Sequence, residues 1–171
     1  MCFYSPLFVL TQTGETMGLS ISVITPSYNQ GNFIERTIQS VLGQNVDAEY
    51  LVLDAVSTDN TVEILKKYRQ RIRWISEPDS GQADAVNKGI LGTKGDIIAW
   101  INSDDVYFDG TLNTVKDYFE KNPDVDFVYG DAWYIDVDDK KTSPYITEPW
   151  DFERLKDVCF ICQPAAFFRR R

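Results

Sequence analysis

From residue 21 onward, short runs of β-branched and aliphatic residues alternate with longer stretches whose apolar positions recur every three or four residues. That alternation predicts βαβ units around a mainly parallel sheet. Residues 21–25 (ISVIT) read as the first strand, with Pro26 as its stop. Phe33, Ile34, Thr37, Ile38, Val41 and Leu42 then line one face of a helix that Gly43 ends. Residues 50–53 (YLVL) form a second, buried strand, and the polar run 57–61 (STDNT) supplies capping side chains to a helix carrying Val62, Leu65 and Tyr68. Strands at 72–75, 96–101 and 126–129 alternate with helices at 82–91 and 111–121, the last with Leu112, Val115, Tyr118 and Phe119 on its apolar side. After Gly130 the pattern weakens into an edge strand at 132–137, a hairpin-like turn at 138–141, a short helix at 150–157 and an apolar run at 158–168. The expected class is α/β, an open, twisted, mainly parallel sheet flanked by helices.

Composition narrows the picture. A chain of 171 residues with 43% hydrophobic and 25% charged residues has the make-up of one folded domain, not of a disordered segment. There is no internal repeat or linker. Residues 1–18 read as an N-terminal tail and 19–171 as the domain. The tail lacks the basic start and long apolar stretch of a signal peptide, and no window reaches the roughly 20 apolar residues of a membrane helix. The net charge of −9 opposes binding to nucleic acid or to an anionic membrane. Histidine is absent, which removes Ser-His-Asp and Cys-His pairs and imidazole-ligated zinc. Three cysteines are too few for a disulfide framework and suit a reducing compartment, so a cytoplasmic location is expected. Cys159 and Cys162 have CxxC spacing, but only Cys2 remains to complete a zinc site, and both are expected as small residues of a buried segment.

In an open α/β sheet, ligands bind beyond the carboxyl ends of the strands. Those ends carry Ser27, Tyr28 and Asn29; Asp54; Glu77, Asp79 and Ser80; and Asn102, Ser103, Asp104 and Asp105. Five of these are carboxylates, and so much negative charge calls for a counter-ion. Mg²⁺ or Mn²⁺ suits oxygen ligands and typically takes only one or two protein carboxylates, with waters and substrate phosphates completing the shell. Neither a GxGxxG fingerprint nor a P-loop is present to cradle phosphates with backbone amides. Metal and side chains must then hold a phosphate ligand, which suggests a nucleotide-sugar transferase or a nucleotidyltransferase. The latter usually carries a basic, Gly-rich loop after its first strand, and residues 27–31 (SYNQG) contain no Lys or Arg.

Four blocks in order, ISVITPSYN (21–29), IQSVLGQ (38–44), LDAVSTD (53–59) and AWINSDD (99–105), resemble the family 2 glycosyltransferases, bacterial cell-surface polysaccharide type. The resemblance covers about residues 19–171 and implies the GT-A fold, a Rossmann-like open sheet. It implies transfer of a sugar, with inversion, from a nucleotide-sugar donor, UDP-linked, to a glycan or lipid-linked acceptor. It places Thr25, Ser27 and Tyr28 beside the base, Asp54 on the base or ribose, Asn102 facing the ribose with Ser103 beside it, and residues 79–84, Asp84 among them, along the pyrophosphate and sugar. Asp104 matches the metal ligand of the DxD motif and Asp105 an accessory carboxylate. Family members are longer, and their base lies in a segment beyond the position of Arg171. The resemblance therefore implies the donor-binding part of a longer enzyme, one for which peripheral membrane association is compatible. A nucleotide-sugar-binding module without transfer activity is the alternative. Should a base lie within the chain, Asp131 and Asp136 are the places to look. Two departures stand out: Asn102 where Asp is frequent, and Ala55-Val56 where small or Gly-rich residues are usual. A β-branched Val56 would be strained if its turn needs positive φ.

Overall fold

The computed structural model of the chain describes residues 18–171, so all of the expected tail but Gly18 lies outside the described residues, with Cys2. A six-stranded sheet runs in the order β3-β2-β1-β4-β8-β5. At its centre β1 (Ile21–Ser27) is buried at all seven positions. It pairs in parallel with β2 (Ala48–Asp54) on one side and β4 (Ile97–Trp100) on the other, and β2 pairs in parallel with β3 (Arg73–Ser76).

Pro26 does not stop the first strand as expected, because β1 continues through it to Ser27, still in register with β2. The reason lies in alternation. Ile24 offers its carbonyl to Ile101, so even-numbered residues of β1 point their polar groups toward β4. The β4 ladder ends at Trp100, opposite Ile24, so the missing N–H of Pro26 falls where the next bond to β4, at the Ile101 carbonyl, would form, and the pairing with β2 is left whole.

Alternate residues of β1 pack on opposite faces. On one face Ile21 and Val23 meet α1 (Ile34–Leu42) through Ile34, Ile38 and Val41, α2 (Thr61–Lys67) through Ile64 and Leu65, and α4 (Thr111–Lys121) through Leu112, Val115 and Phe119. On the other face Ile24, Leu51, Leu53 and Ile98 meet α3 (Gln82–Gly92) through Ala85. α3 lies unusually close to the sheet at Gly89, where an added Cβ would sit 2.4 Å from Cγ2 of Ile24 and 2.9 Å from Cδ1 of Leu53.

The last third of the chain departs from expectation in two places. β5 (Phe127–Tyr129) reaches the sheet only through β8 (Ala166–Arg169), which inserts between β4 and β5 antiparallel to both. The apolar run 158–168 is thereby largely covered, with Phe160, Cys162 and Phe167 buried, whereas Val158 and Cys159, the latter expected to be buried, are exposed. The strand expected at the sheet edge, β6 (Trp133–Ile135), instead pairs with β7 (Lys141–Pro144) in a separate hairpin. A short α5 (Phe152–Asp157), capped by Asp151 on the N–H of Arg154, leads into the inserted strand.

Two arginines lock β8 in place. Arg169 donates to the carbonyls of Val125, Phe119 and Asn122 at the end of α4, and Arg170 donates to those of Gly95 and Ile90 and to Thr93 at the end of α3. Cations satisfying free carbonyls at helix C-termini are favourable both as hydrogen bonds and against the helix dipole.

The close approach of α3 gives a direct test. Gly89→Ala should lower stability by about 1–3 kcal/mol through overpacking against Ile24 and Leu53. Unchanged thermal and urea midpoints would show that the helix can withdraw from the sheet without loss.

Candidate functional site

The carboxyl ends of β1, β2 and β4 open into a cavity of about 750 Å³. Ser27 and Tyr28 line it from β1, Ala55 and Val56 from the loop after β2, Asp79 and Gly81 from the loop before α3, and Asn102, Ser103 and Asp104 from the loop after β4. Among the described residues no Lys or Arg lines it. Tyr28 is 59% exposed and Val56 47%, so an aromatic ring and an isopropyl group stand open on one side. Ser27 is buried, and its hydroxyl has no partner among the described residues.

The loops around this cavity are laced to one another. Asp54, only 2% exposed, accepts bonds from Ser76 Oγ (2.6 Å), from the Ser57 N–H (3.1 Å) and from Ser57 Oγ. Ala55 N donates to the Ser27 carbonyl at 2.9 Å. With both neighbours tied, Val56 is held at φ +58°, in the left-handed region where β-branched residues are strained. Asn29, also left-handed, receives Thr58 N on its Oδ1 at 2.8 Å and donates its own N–H to Ser57 Oγ at 2.8 Å. The run 57–61 therefore acts chiefly between loops: Asp59 receives the Gly31 N–H and Thr61 Oγ1 the Gln30 N–H. Only Asp59, bonded to the N–H and hydroxyl of Thr61, serves the start of α2 as expected.

On the β4 side, Asn102 Oδ1 accepts from Gln82 Nε2 (2.7 Å) and Trp100 Nε1 (3.1 Å). Its lone pairs are used, and its main-chain carbonyl accepts the Asp105 N–H at 3.2 Å. Burial pushes the Asp105 carboxyl up to about 6, and the charge of neighbouring Asp104 adds to the effect, while the bond from Asn102 opposes it. Asparagine at 102 thus avoids a third carboxylate beside that pair.

With this geometry in view, sequence comparison is informative. The family model described as glycosyl transferase family 2 matches residues 22–171. The chain belongs to that family. A Nostoc protein named as an uncharacterized glycosyltransferase is 32% identical over 126 residues, 71% of this chain and 38% of its own length. A Pasteurella multocida chondroitin synthase is 38% identical over 89 residues, 50% of this chain and 9% of its own length. The chain spans well under half the length of these relatives. Among solved structures, S. aureus TarS 1-349 in complex with UDP-GlcNAc shares 21% identity at TM-score 0.67, covering 88% of this chain and 45% of its own. A mannosyltransferase from Pyrobaculum calidifontis, in complex with GDP-Man and Mn²⁺, shares 22% identity at TM-score 0.66, over 91% and 46%. At such identities the likeness shows the fold, which is the expected GT-A glycosyltransferase fold.

The site residues expected for this glycosyltransferase fold divide in two. Ser27, Tyr28, Asn102, Ser103 and Asp104 meet around the cavity. Thr25, Asp54 and Asp84 do not line it. Thr25 is wholly buried, with its hydroxyl 3.1 Å from that of Tyr50. Asp54 organises the loop after β2. Asp84 receives the Ser80 N–H at 3.0 Å and pairs with Lys88 at 3.2 Å, which hold its carboxyl below the usual range. Asp105 faces a second cavity on the other side of its loop. Gln82, within the 79–84 loop expected along the pyrophosphate and sugar, and Trp100, within the 99–105 block, instead hold Asn102. Trp100 lies two residues from Asn102, a spacing that puts both on one face of an extended segment, whereas the reach of Gln82 to Asn102 is a long-range matter that local pattern does not show.

Among the described residues no three carboxylates, thiols or imidazoles converge as a protein-only metal centre would require, and no helix is long and apolar enough to cross a membrane. The strain at Val56 can be measured. Replacing Val56 by glycine should raise stability by about 0.5–1 kcal/mol, the relief of a left-handed β-branched residue less the extra chain entropy of glycine. A lower melting temperature would mean that packing of the isopropyl group outweighs the backbone strain.

Proposed function

We propose that the chain is the donor-binding part of a glycosyltransferase that takes its sugar from a nucleotide-sugar, UDP-linked, and passes it with inversion to an acceptor hydroxyl in surface-polysaccharide or glycan synthesis. The observation that carries this reading is the convergence of Ser27, Tyr28, Asn102, Ser103 and Asp104 on one cavity at the carboxyl ends of β1 and β4. Tyr28 and Val56 offer an open apolar face for a flat base. Asp54 and Asp84 act on the donor through the loops they hold, while Thr25 bonds Tyr50 within the sheet. TarS, solved with UDP-GlcNAc, supports a uridine donor, and the mannosyltransferase solved with GDP-Man makes guanosine the competitor to test.

A diphosphate in this cavity would meet Asp104 and Asp79 with no Lys or Arg in the lining. The residues fit a hard divalent ion held by one or two carboxylates and completed by phosphate oxygens and water, with Asp104 as the ligand in the cavity, whereas Asp105, expected as an accessory ligand, faces the second cavity. Bound Mg²⁺ or Mn²⁺ supplies charge stabilisation to the departing nucleoside diphosphate. Asn102, whose carbonyl accepts the Asp105 N–H and whose side chain is fixed by Gln82 and Trp100, keeps the 102–105 loop in place for that role. The lack of basic lining also weighs against a nucleotidyltransferase, whose triphosphate carries still more negative charge.

Titration calorimetry with UDP and GDP, each with Mg²⁺ or Mn²⁺ and then with a chelator, tests the reading. UDP should bind more tightly than GDP, and chelation should weaken binding about tenfold or more. Asp104→Asn should abolish the metal effect while leaving the weak metal-free affinity. Equal UDP affinity with and without metal would reject metal assistance, and absence of binding to either nucleotide would reject the donor site.

A further inference from the structure

β5 is the last strand of the sheet, and only one of its edges is paired. Against β8, the Asp126 carbonyl accepts the Arg169 N–H and the Gly130 N–H donates to the Ala165 carbonyl, with Val128 opposite Phe167 between them. Alternation therefore turns the backbone groups of Asp126, Val128 and Gly130 toward β8 and those of Phe127 and Tyr129 outward. Among the described residues, nothing meets the N–H or the C=O of either. An open edge of this kind is a template for another strand, and residues 127–129 (FVY) carry neither the charge nor the proline that usually blunts one.

Beside that edge runs a groove of about 550 Å³, walled by Val115 and Tyr118 of α4 and by Val125, Phe127 and Val128. Tyr118 is 48% exposed and Phe127 40%, so the apolar walls stand open. The charged residues that reach the groove, Asp109 and Asp131, are both acidic. An occupant must then bring a backbone to pair, apolar side chains on both faces, and no negative charge.

The chain itself carries such a segment. Residues 7–11 (LFVLT) are aliphatic, aromatic or β-branched at every position, the composition of a strand apolar on both faces, and Pro6 precedes them where a missing N–H is tolerated. Residues 1–14 hold no charged side chain, so the run meets Asp109 and Asp131 without repulsion. Two copies pairing through β5 would instead bring Asp124, Asp126 and Asp131 of each beside those of the other, on chains of net charge −9. The tether is long enough. Leu19 N donates to Glu120 of α4 at 3.0 Å, so the chain enters the domain on the helix that walls the groove. Glu120 lies two residues from Tyr118, hence on the opposite flank of a helix about 10–12 Å across, and residues 12–18 span up to about 23 Å.

We infer that residues 7–11 add to the outer edge of β5 as a seventh strand, pairing the N–H and C=O groups of Phe127 and Tyr129 and closing the groove against α4 with alternate side chains. The inference does not depend on the donor reading.

Amide hydrogen exchange followed by NMR on the full chain tests it. The Phe127 and Tyr129 amides should exchange at least about 100-fold more slowly than open peptide amides, and about tenfold dilution of the protein should leave both rates unchanged. The double substitution Phe8→Pro with Val9→Pro removes a donor at either parity of the run. It should speed exchange at Phe127 and Tyr129 about tenfold or more, while Val128, which bonds β8, stays protected in both proteins. Open-peptide exchange at Phe127 and Tyr129 in the parent chain, or protection that survives the double substitution, would overturn the inference. Protection that falls on dilution would overturn it too, by assigning the edge to a second copy.

Discussion

β1 has neighbours on both edges and cores on both faces, and the rest of the structure follows from satisfying that position. A fully buried strand must pair every backbone polar group it has, because each one left unmet costs as much as a lost hydrogen bond. β2 and β4 supply that pairing in parallel, so three chain segments must leave the sheet at the same end. Parallel strands need crossovers, and the crossovers become α1, α2 and α3. The cavity is the space those departing segments leave between them. Pro26 illustrates the constraint, since its missing N–H ends the pairing on the β4 side while the ladder with β2 runs on through it to Ser27.

The polar residues at that end serve mostly to hold loops still. Asp54 is buried with three bonds from serines and the backbone, Asn29 bridges the loops after β1 and β2, and Asn102 is gripped by Gln82 and Trp100. Each is a polar group whose burial is tolerable because its partners are supplied. The result is a rigid rim on which a smaller set of groups, Tyr28 and Asp104, stands open to a ligand. Val56 is the cost of this arrangement: with Ala55 and Ser57 both bonded, the residue between them has to accept the left-handed backbone.

β8 joins the two ends of the chain's history. It closes the gap between β4 and β5, and Arg169 and Arg170 cap α4 and α3 with the same few residues. The segment that leads into it, with the hairpin and Cys162, walls the second cavity, so the placement of one short antiparallel strand decides whether that cavity exists.

The sequence by itself determined the alternation of strands and helices, the apolar faces of α1 and α4, and the polar character of the strand ends, because these depend on local periodicity and on the rule that α/β ligands sit beyond strand carboxyl ends. It also flagged Val56, since a β-branched residue in a tight turn is visible in the sequence, though its φ is not. The insertion of β8 was decided by tertiary structure alone: residues 158–168 read as one apolar run, and which neighbours an antiparallel strand finds is a long-range matter. The separation of lining residues from loop-holding ones was decided there too. Thr25, Asp54 and Asp104 are all polar groups at or near strand ends, and only packing turns the first toward Tyr50, binds the second to Ser57 and Ser76, and leaves the third open to the cavity.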